Sequence, residues 1–159
     1  MGKVINKDKL LESVKKLNLS ESDYEKIVGE KCPSIELDDY KNYKIQELKT
    51  ACNAEILGGF YSNANGEYKH YGLSYEDQIN LEGIKNNLAM NIIAEATYYA
   101  SGEECKPYIK EQFLQLYNEA MSFKTERITT CKLLVNQVKE MNSVDLIKSI
   151  TWEEVEWNE

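Results

Sequence analysis

The feature that most constrains this chain is an apolar repeat in its last third. Leu114, Tyr117, Met121, Ile128, Cys131, Val135 and Val138 recur at alternating spacings of three and four, with Lys124 as the one polar member. Such a pattern predicts a single helix over about residues 110–141. A helix of some 30 residues extends roughly 45 Å. It must therefore lie along another helix, in the same chain or in a second copy. The seven apolar positions are accordingly a candidate oligomer seam.

Candidate neighbours stand upstream. Residues 6–17 place Leu10, Leu11, Val14 and Leu17 on one stripe behind Asn6 as N-cap, and Ser20 opens a second short helix that Gly29 ends. The stretch from Gly29 to Ser34 reads as a linker, because Pro33 pushes Cys32 out of the helical region. A longer helix is expected from about Asp38 to Leu57, with Ile45, Leu48, Cys52 and Ile56 inward and Gly58-Gly59 as its stop. Ser74 and Asp77 form a capping box for a further helix, whose inward stripe is Leu81, Ile84, Leu88 and Ile92. After Asn142-Ser143 a short helix leads into an acidic tail holding Trp152 and Trp157.

Two hairpins separate these helices. Asn65-Gly66 supplies the positive backbone angles of a two-residue turn, which pairs Ser62 with Lys69, Tyr61 with His70 and Phe60 with Tyr71. Alternation then puts Phe60 and Tyr71 on one face and Tyr61, Tyr68 and His70 on the other. A weaker hairpin spans residues 97–109 around Ser101-Gly102, its second strand either confined to an edge or made irregular by Pro107. The fold class expected is α+β and mainly helical: two or three long helices, two small hairpins and short N-terminal helices. Residues 1–34 are expected to be a helical docking segment, and residues 35–159 the α+β domain.

Charge and motif content exclude more than they name. With 27 acidic and 19 basic residues the net charge is −8, which disfavours nucleic acid and anionic membrane as partners. No apolar run approaches the ~20 residues of a membrane span, so no membrane insertion is expected. Met1 to Asn6 lacks a signal-peptide pattern, and Gly2 is not in a myristoylation context. Synthesis and folding in a cytoplasm follow as the expectation. Cys32, Cys52, Cys105 and Cys131 stand far apart and His70 is the only histidine. Neither a zinc site nor a disulfide is indicated, and no metal or cofactor is expected. No nucleophile elbow, phosphate loop or paired Glu-x-x-His motif is present. His70, with Glu67 and Asp77 near it in sequence, is the one acid–base candidate, and cross-strand packing explains it better. The chain is therefore expected not to be an enzyme.

Tyrosine supplies 11 of the 16 aromatic residues. Tyr61, Tyr68, His70, Tyr75, Tyr98 and Tyr99 gather around the two hairpins and are the candidate partner-binding residues. Tyrosine offers rigid contact area with a polar tip, which suits a protein or glycan surface. Half-buried strands with hydroxyls reaching solvent are the plainer explanation.

Three blocks in order carry a resemblance. They are CNAEILGGFYS (Cys52, Asn53, Gly59, Phe60, Tyr61, Ser62), YEDQIN (Tyr75, Glu76, Asp77, Gln78, Asn80), and the long-helix residues Gln112, Phe113, Phe123, Lys124 and Arg127, with an ending near TWEE. Over about residues 45–154 the chain resembles an uncharacterised phage domain found at the C-terminal end of tail-fibre and baseplate-associated proteins. The resemblance implies no catalytic residue. It implies a non-enzymatic structural or attachment component of a phage tail or tail-like particle. Its partners would be other tail, baseplate or fibre proteins, with a homo-oligomer as a further possibility. No long fibre precedes the domain in this sequence, which favours a small accessory piece. The alternatives are a tail-fibre assembly chaperone absent from the mature particle and, further off, a small cell-envelope hydrolase.

Overall fold

The computed structural model describes residues 5–153 and Val155. Met1, Gly2, Glu154 and Trp157, and the expectations that rest on them, lie outside the described residues. Among the described residues the order is α1 (Lys7–Lys15), α2 (Glu21–Val28), α3 (Leu37–Gly58), β1 (Phe60–Ser62), β2 (Lys69–Tyr71), α4 (Tyr75–Ala89), β3 (Glu95–Tyr98), β4 (Lys106–Ile109), α5 (Lys110–Glu140) and α6 (Val144–Ser149). The protein is a mainly helical α+β structure with two antiparallel strand pairs. None of its described helices is long and apolar enough to cross a membrane. By contact the chain divides into two compact units. One holds the residues up to Thr50 together with those from Cys131 onward, and the other is Ala51–Thr130. The expected division after residue 34 falls inside the first unit.

In the first unit the local signals act as read. Asn6 Oδ1 accepts from Lys9 N, Ser20 Oγ accepts from Asp23 N, and Gly29 closes α2 in the left-handed region. One exception is Leu17, which leaves α1 at φ 61° while the Asn18 amide reaches back to Ser13. The helix thus stops at Lys15 and Leu17 serves as its left-handed cap, a conformation usually taken by glycine. Val14 and Tyr24 are buried, as are Tyr40, Leu48, Cys131, Val135, Val138, Ile147 and Trp152. The Tyr40 hydroxyl donates to Glu21 at 3.0 Å, and Lys15 pairs with Asp39 at 3.3 Å. Burial, with the Glu21 carboxylate behind it, pushes the Tyr40 phenol up to about 12. These ties join residues of α1 and α2 to α3 within the first unit.

In the second unit the first hairpin has the expected register, Phe60 opposite Tyr71, Tyr61 opposite His70 and Ser62 opposite Lys69. The turn differs. Only Gly66 has a positive φ, at 85°, and its amide donates to the Asn63 carbonyl at 2.7 Å. The reversal therefore runs through Ala64 and Asn65 with Gly66 following, instead of placing Asn65 in the left-handed region. Buried Ser62 helps by accepting from the Ala64 amide. Phe60 and Tyr71 face the core with rings 5.8 Å apart, and Phe60 also meets Phe123 at 6.2 Å. The second hairpin pairs Thr97 with Pro107 in a two-stranded sheet, where every strand is an edge and a proline is tolerated.

The inward face of the long helix follows the apolar repeat only in part. From Cys131 onward the expected seam is the buried one, but it is buried inside the single chain: Val138 is fully covered, and the Cys131 thiol lies 3.9 Å from the Leu48 carbonyl. In the first half the buried stripe is displaced by about one residue, to Phe113, Leu116, Ala120 and Arg127. Leu114, Tyr117, Met121 and Ile128 are only half-buried. Part of the expected row faces α4 instead, since Tyr117 donates to Glu82 and Lys124 to Gln78. In α4 itself, Leu81 and Leu88 are buried as expected, whereas Ile92 is 65% exposed. The helix has already ended at Ala89, with Asn91 at φ 54° turning the chain away.

Candidate functional site

The hairpin alternation decides where the aromatic surface lies. With Phe60 and Tyr71 committed inward, Tyr61 and His70 must point outward. Tyr61 is 59% exposed and Tyr68 74% exposed, and their rings stack 5.3 Å apart at 15°. His70 meets the Tyr61 ring edge-on at 5.1 Å. Both ring nitrogens of His70 are engaged. Nε2 lies 2.8 Å from the Gly58 carbonyl, which only accepts, so this nitrogen carries the proton. Nδ1 lies 2.7 Å from Ser101 Oγ and in the neutral ring accepts from that hydroxyl. The Ser101 amide also donates to the His70 carbonyl. His70 thus fastens the end of α3 and the tip of the second hairpin to β2, and neither Glu67 nor Asp77 is its partner.

Glycine makes this arrangement possible at two positions. A Cβ on Gly59, at φ 95°, would stand 2.2 Å from the Tyr71 carbonyl oxygen and 2.8 Å from His70 Nε2. A Cβ on Gly72 would stand 2.7 Å from the Asp77 carboxylate. That carboxylate accepts from both the amide and the hydroxyl of Ser74, completing the capping box of α4. Beside the hairpin, Lys69 holds Glu67 and Glu103, each at 2.7 Å, and Lys106 reaches Glu103 at 3.2 Å. The hydrogen bond from Lys69 holds the Glu103 carboxyl below its usual range.

The other candidate tyrosines divide. Tyr75 is exposed and its hydroxyl donates to Asn53 at 3.0 Å, and Tyr99 is half-exposed. Tyr98 is only 4% exposed, stacked on Tyr99 and edge-on to Phe113. Its ring belongs to the core, and the surface set is reduced to Tyr61, Tyr68, His70, Tyr75 and Tyr99. The alternation within β3 hides Tyr98, since Ala96 is buried on the same face.

The three resemblance blocks meet in Ala51–Thr130. The Cys52 thiol lies 3.5 Å from the Arg127 carbonyl, the Arg127 guanidinium pairs with Glu55 at 3.1 Å and covers the Phe123 ring at 3.9 Å, and Gln112 accepts from the Ile109 amide. The blocks thereby tie α3, α4 and the hairpins to α5. Arg127 is buried, which the helical repeat does not show, because nothing in such a repeat marks a buried guanidinium. A family model described as Domain of unknown function (DUF4376) matches residues 39–154. The chain belongs to this family. The DUF4376 match starts within α3 and takes in all three blocks. No curated protein and no solved structure matches the chain. Among the described residues no three His, Cys, Asp or Glu side chains are grouped to hold a metal ion.

Proposed function

We propose that this protein is a non-enzymatic attachment or assembly component of a phage tail or tail-like particle, and that it engages its partner through the outward aromatic face of the first hairpin. The observation that carries the reading is the stacked, exposed pair Tyr61–Tyr68 on a strand pair whose opposite face is locked into the core. Exposed aromatic pairs of this kind are costly to leave in water and give much contact area with little entropy loss on binding. Engagement of both His70 nitrogens favours a scaffold role for that side chain over acid–base work. The phage context rests on the sequence resemblance of the three blocks.

Complementation of a deletion strain tests the proposal. The wild-type gene should restore infectivity, and a Tyr61→Ser, Tyr68→Ser variant should fold normally yet fail to restore it. Deletion that leaves particle composition and infectivity unchanged would sink the proposal.

A further inference from the structure

A groove of about 430 Å³ lies between α4 and the second hairpin, and it shares no residue with the Tyr61–Tyr68 face. The volume falls in the range of small-molecule sites, ~300–1,000 Å³. Its lining is chemically unlike the rest of the chain. Charged residues make up 29% of the sequence, yet none of the lining residues is Asp, Glu, Lys or Arg. Its polar lining is Asn80, Asn87, Thr97 and Tyr99, set among apolar Ile79, Ile84 and Cys105, with Gly83 on the helix. No hydrogen bond within the described residues uses the side chains of Asn80, Asn87 or Thr97. A Cβ at Gly83 would meet nothing within 4 Å, so packing within the chain gives no reason for glycine there.

We propose that this groove binds an uncharged saccharide unit. A pyranose has an apolar C–H face and a rim of hydroxyls that both donate and accept. Tyr99 offers a flat ring for the first, held in place by its stack on buried Tyr98 at 5.2 Å and 18°. Asn80 and Asn87 offer amides that donate and accept to neighbouring hydroxyls, and Thr97 adds a hydroxyl. A purely apolar ligand would leave those amides unpaired, at a cost. An anionic sugar would find no cation in the groove and a chain of net charge −8 around it. Gly83 keeps the floor low enough for the ring to approach the helix.

Titration of the labelled protein with the methyl glycosides of glucose, galactose and N-acetylglucosamine, followed by NMR, tests the assignment. At least one should shift the Asn80 and Asn87 side-chain amides and the Gly83 amide, whereas glucuronate should not. Gly83→Leu fills the groove at a position with open space above it, so it should keep the helical signal and lose the shifts. Tyr99→Ala should weaken binding roughly tenfold, the scale of one aromatic contact, and stands as the second variant if Gly83→Leu does not fold. Absence of shifts with all three glycosides up to ~50 mM, well above millimolar affinity, would overturn the assignment. Equal shifts with glucuronate, shifts that persist in Gly83→Leu, or shifts produced only by a neutral serine–glycine peptide would overturn it as well. Failure here leaves the Tyr61–Tyr68 proposal standing, because the two surfaces are tested by different variants.

Discussion

Adjacent glycines at the end of α3 provide a sharp internal test, because the structure assigns them opposite roles. Gly58 is helical and a Cβ there would meet nothing within 4 Å. Gly59 sits at φ 95°, with a Cβ placed 2.2 Å from the Tyr71 carbonyl oxygen and 2.8 Å from His70 Nε2. Gly58→Ala should be neutral or stabilising by up to about 1 kcal/mol, from reduced freedom of the unfolded chain. Gly59→Ala carries a left-handed penalty of about 1–2 kcal/mol. It also displaces a strand carbonyl and the His70–Gly58 hydrogen bond, each hydrogen bond lost costing about 0.5–1.5 kcal/mol net. The sum is about 2–5 kcal/mol, a large part of a typical stability of about 5–15 kcal/mol. With a urea slope of about 2 kcal/mol per molar, the Gly59→Ala midpoint should fall by about 1–2.5 M in an unfolding curve followed by circular dichroism. Equal midpoints for the two variants would refute the claim that Gly59 is required by the close approach of β2.

Other perturbations address different parts of the fold. Ser74→Ala removes the hydroxyl that accepts from the Asp77 amide, leaves the Ser74 amide bonded to the Asp77 carboxylate, and should cost about 1 kcal/mol, read from the same urea curves. Val135→Asp places an unpaired carboxylate at a position only 8% exposed within one chain, so it should unfold the protein. A folded, dissociated subunit by light scattering would instead revive the intermolecular seam. Acidification should loosen the Lys69–Glu103–Lys106 contact. Its carboxyl is depressed by Lys69, so the stabilisation is full above the ordinary carboxylate range and lost as pH falls through the lower folded value. The effect should be small at this exposed site and shrink further in Lys69→Met, where Lys106 alone still reaches Glu103, measured as stability against pH.

Much of this fold is legible in the sequence, for local reasons. The caps at Asn6, Ser20 and Ser74 are single side chains reaching amides three residues on, so spacing alone reveals them. The hairpin register follows from alternation around Gly66, whereas the turn type depends on which residue takes the positive φ, and that is settled by the Asn63–Gly66 hydrogen bond. The long helix is plain, but its inward face is not. α5 carries two adjacent apolar rows, one ending at small Ala120 and polar Arg127, and the repeat marks the row that contains more large residues. The interior is also polar where periodicity expects none, as at Lys44, 5% exposed and held by Glu47. Of the tyrosines, Tyr61 and Tyr68 could be placed on one face from the register, while Tyr98 could not be separated from Tyr99 until the face packed on Phe113 was known.

The central claim, that the chain is a working part of a particle, is tested most directly by quantitative mass spectrometry of purified particles. The account predicts this protein at a fixed, whole-number ratio to a known tail component, retained after stringent washing. Its absence, or a level far below one copy per particle, would contradict the account and point to a role in assembly alone.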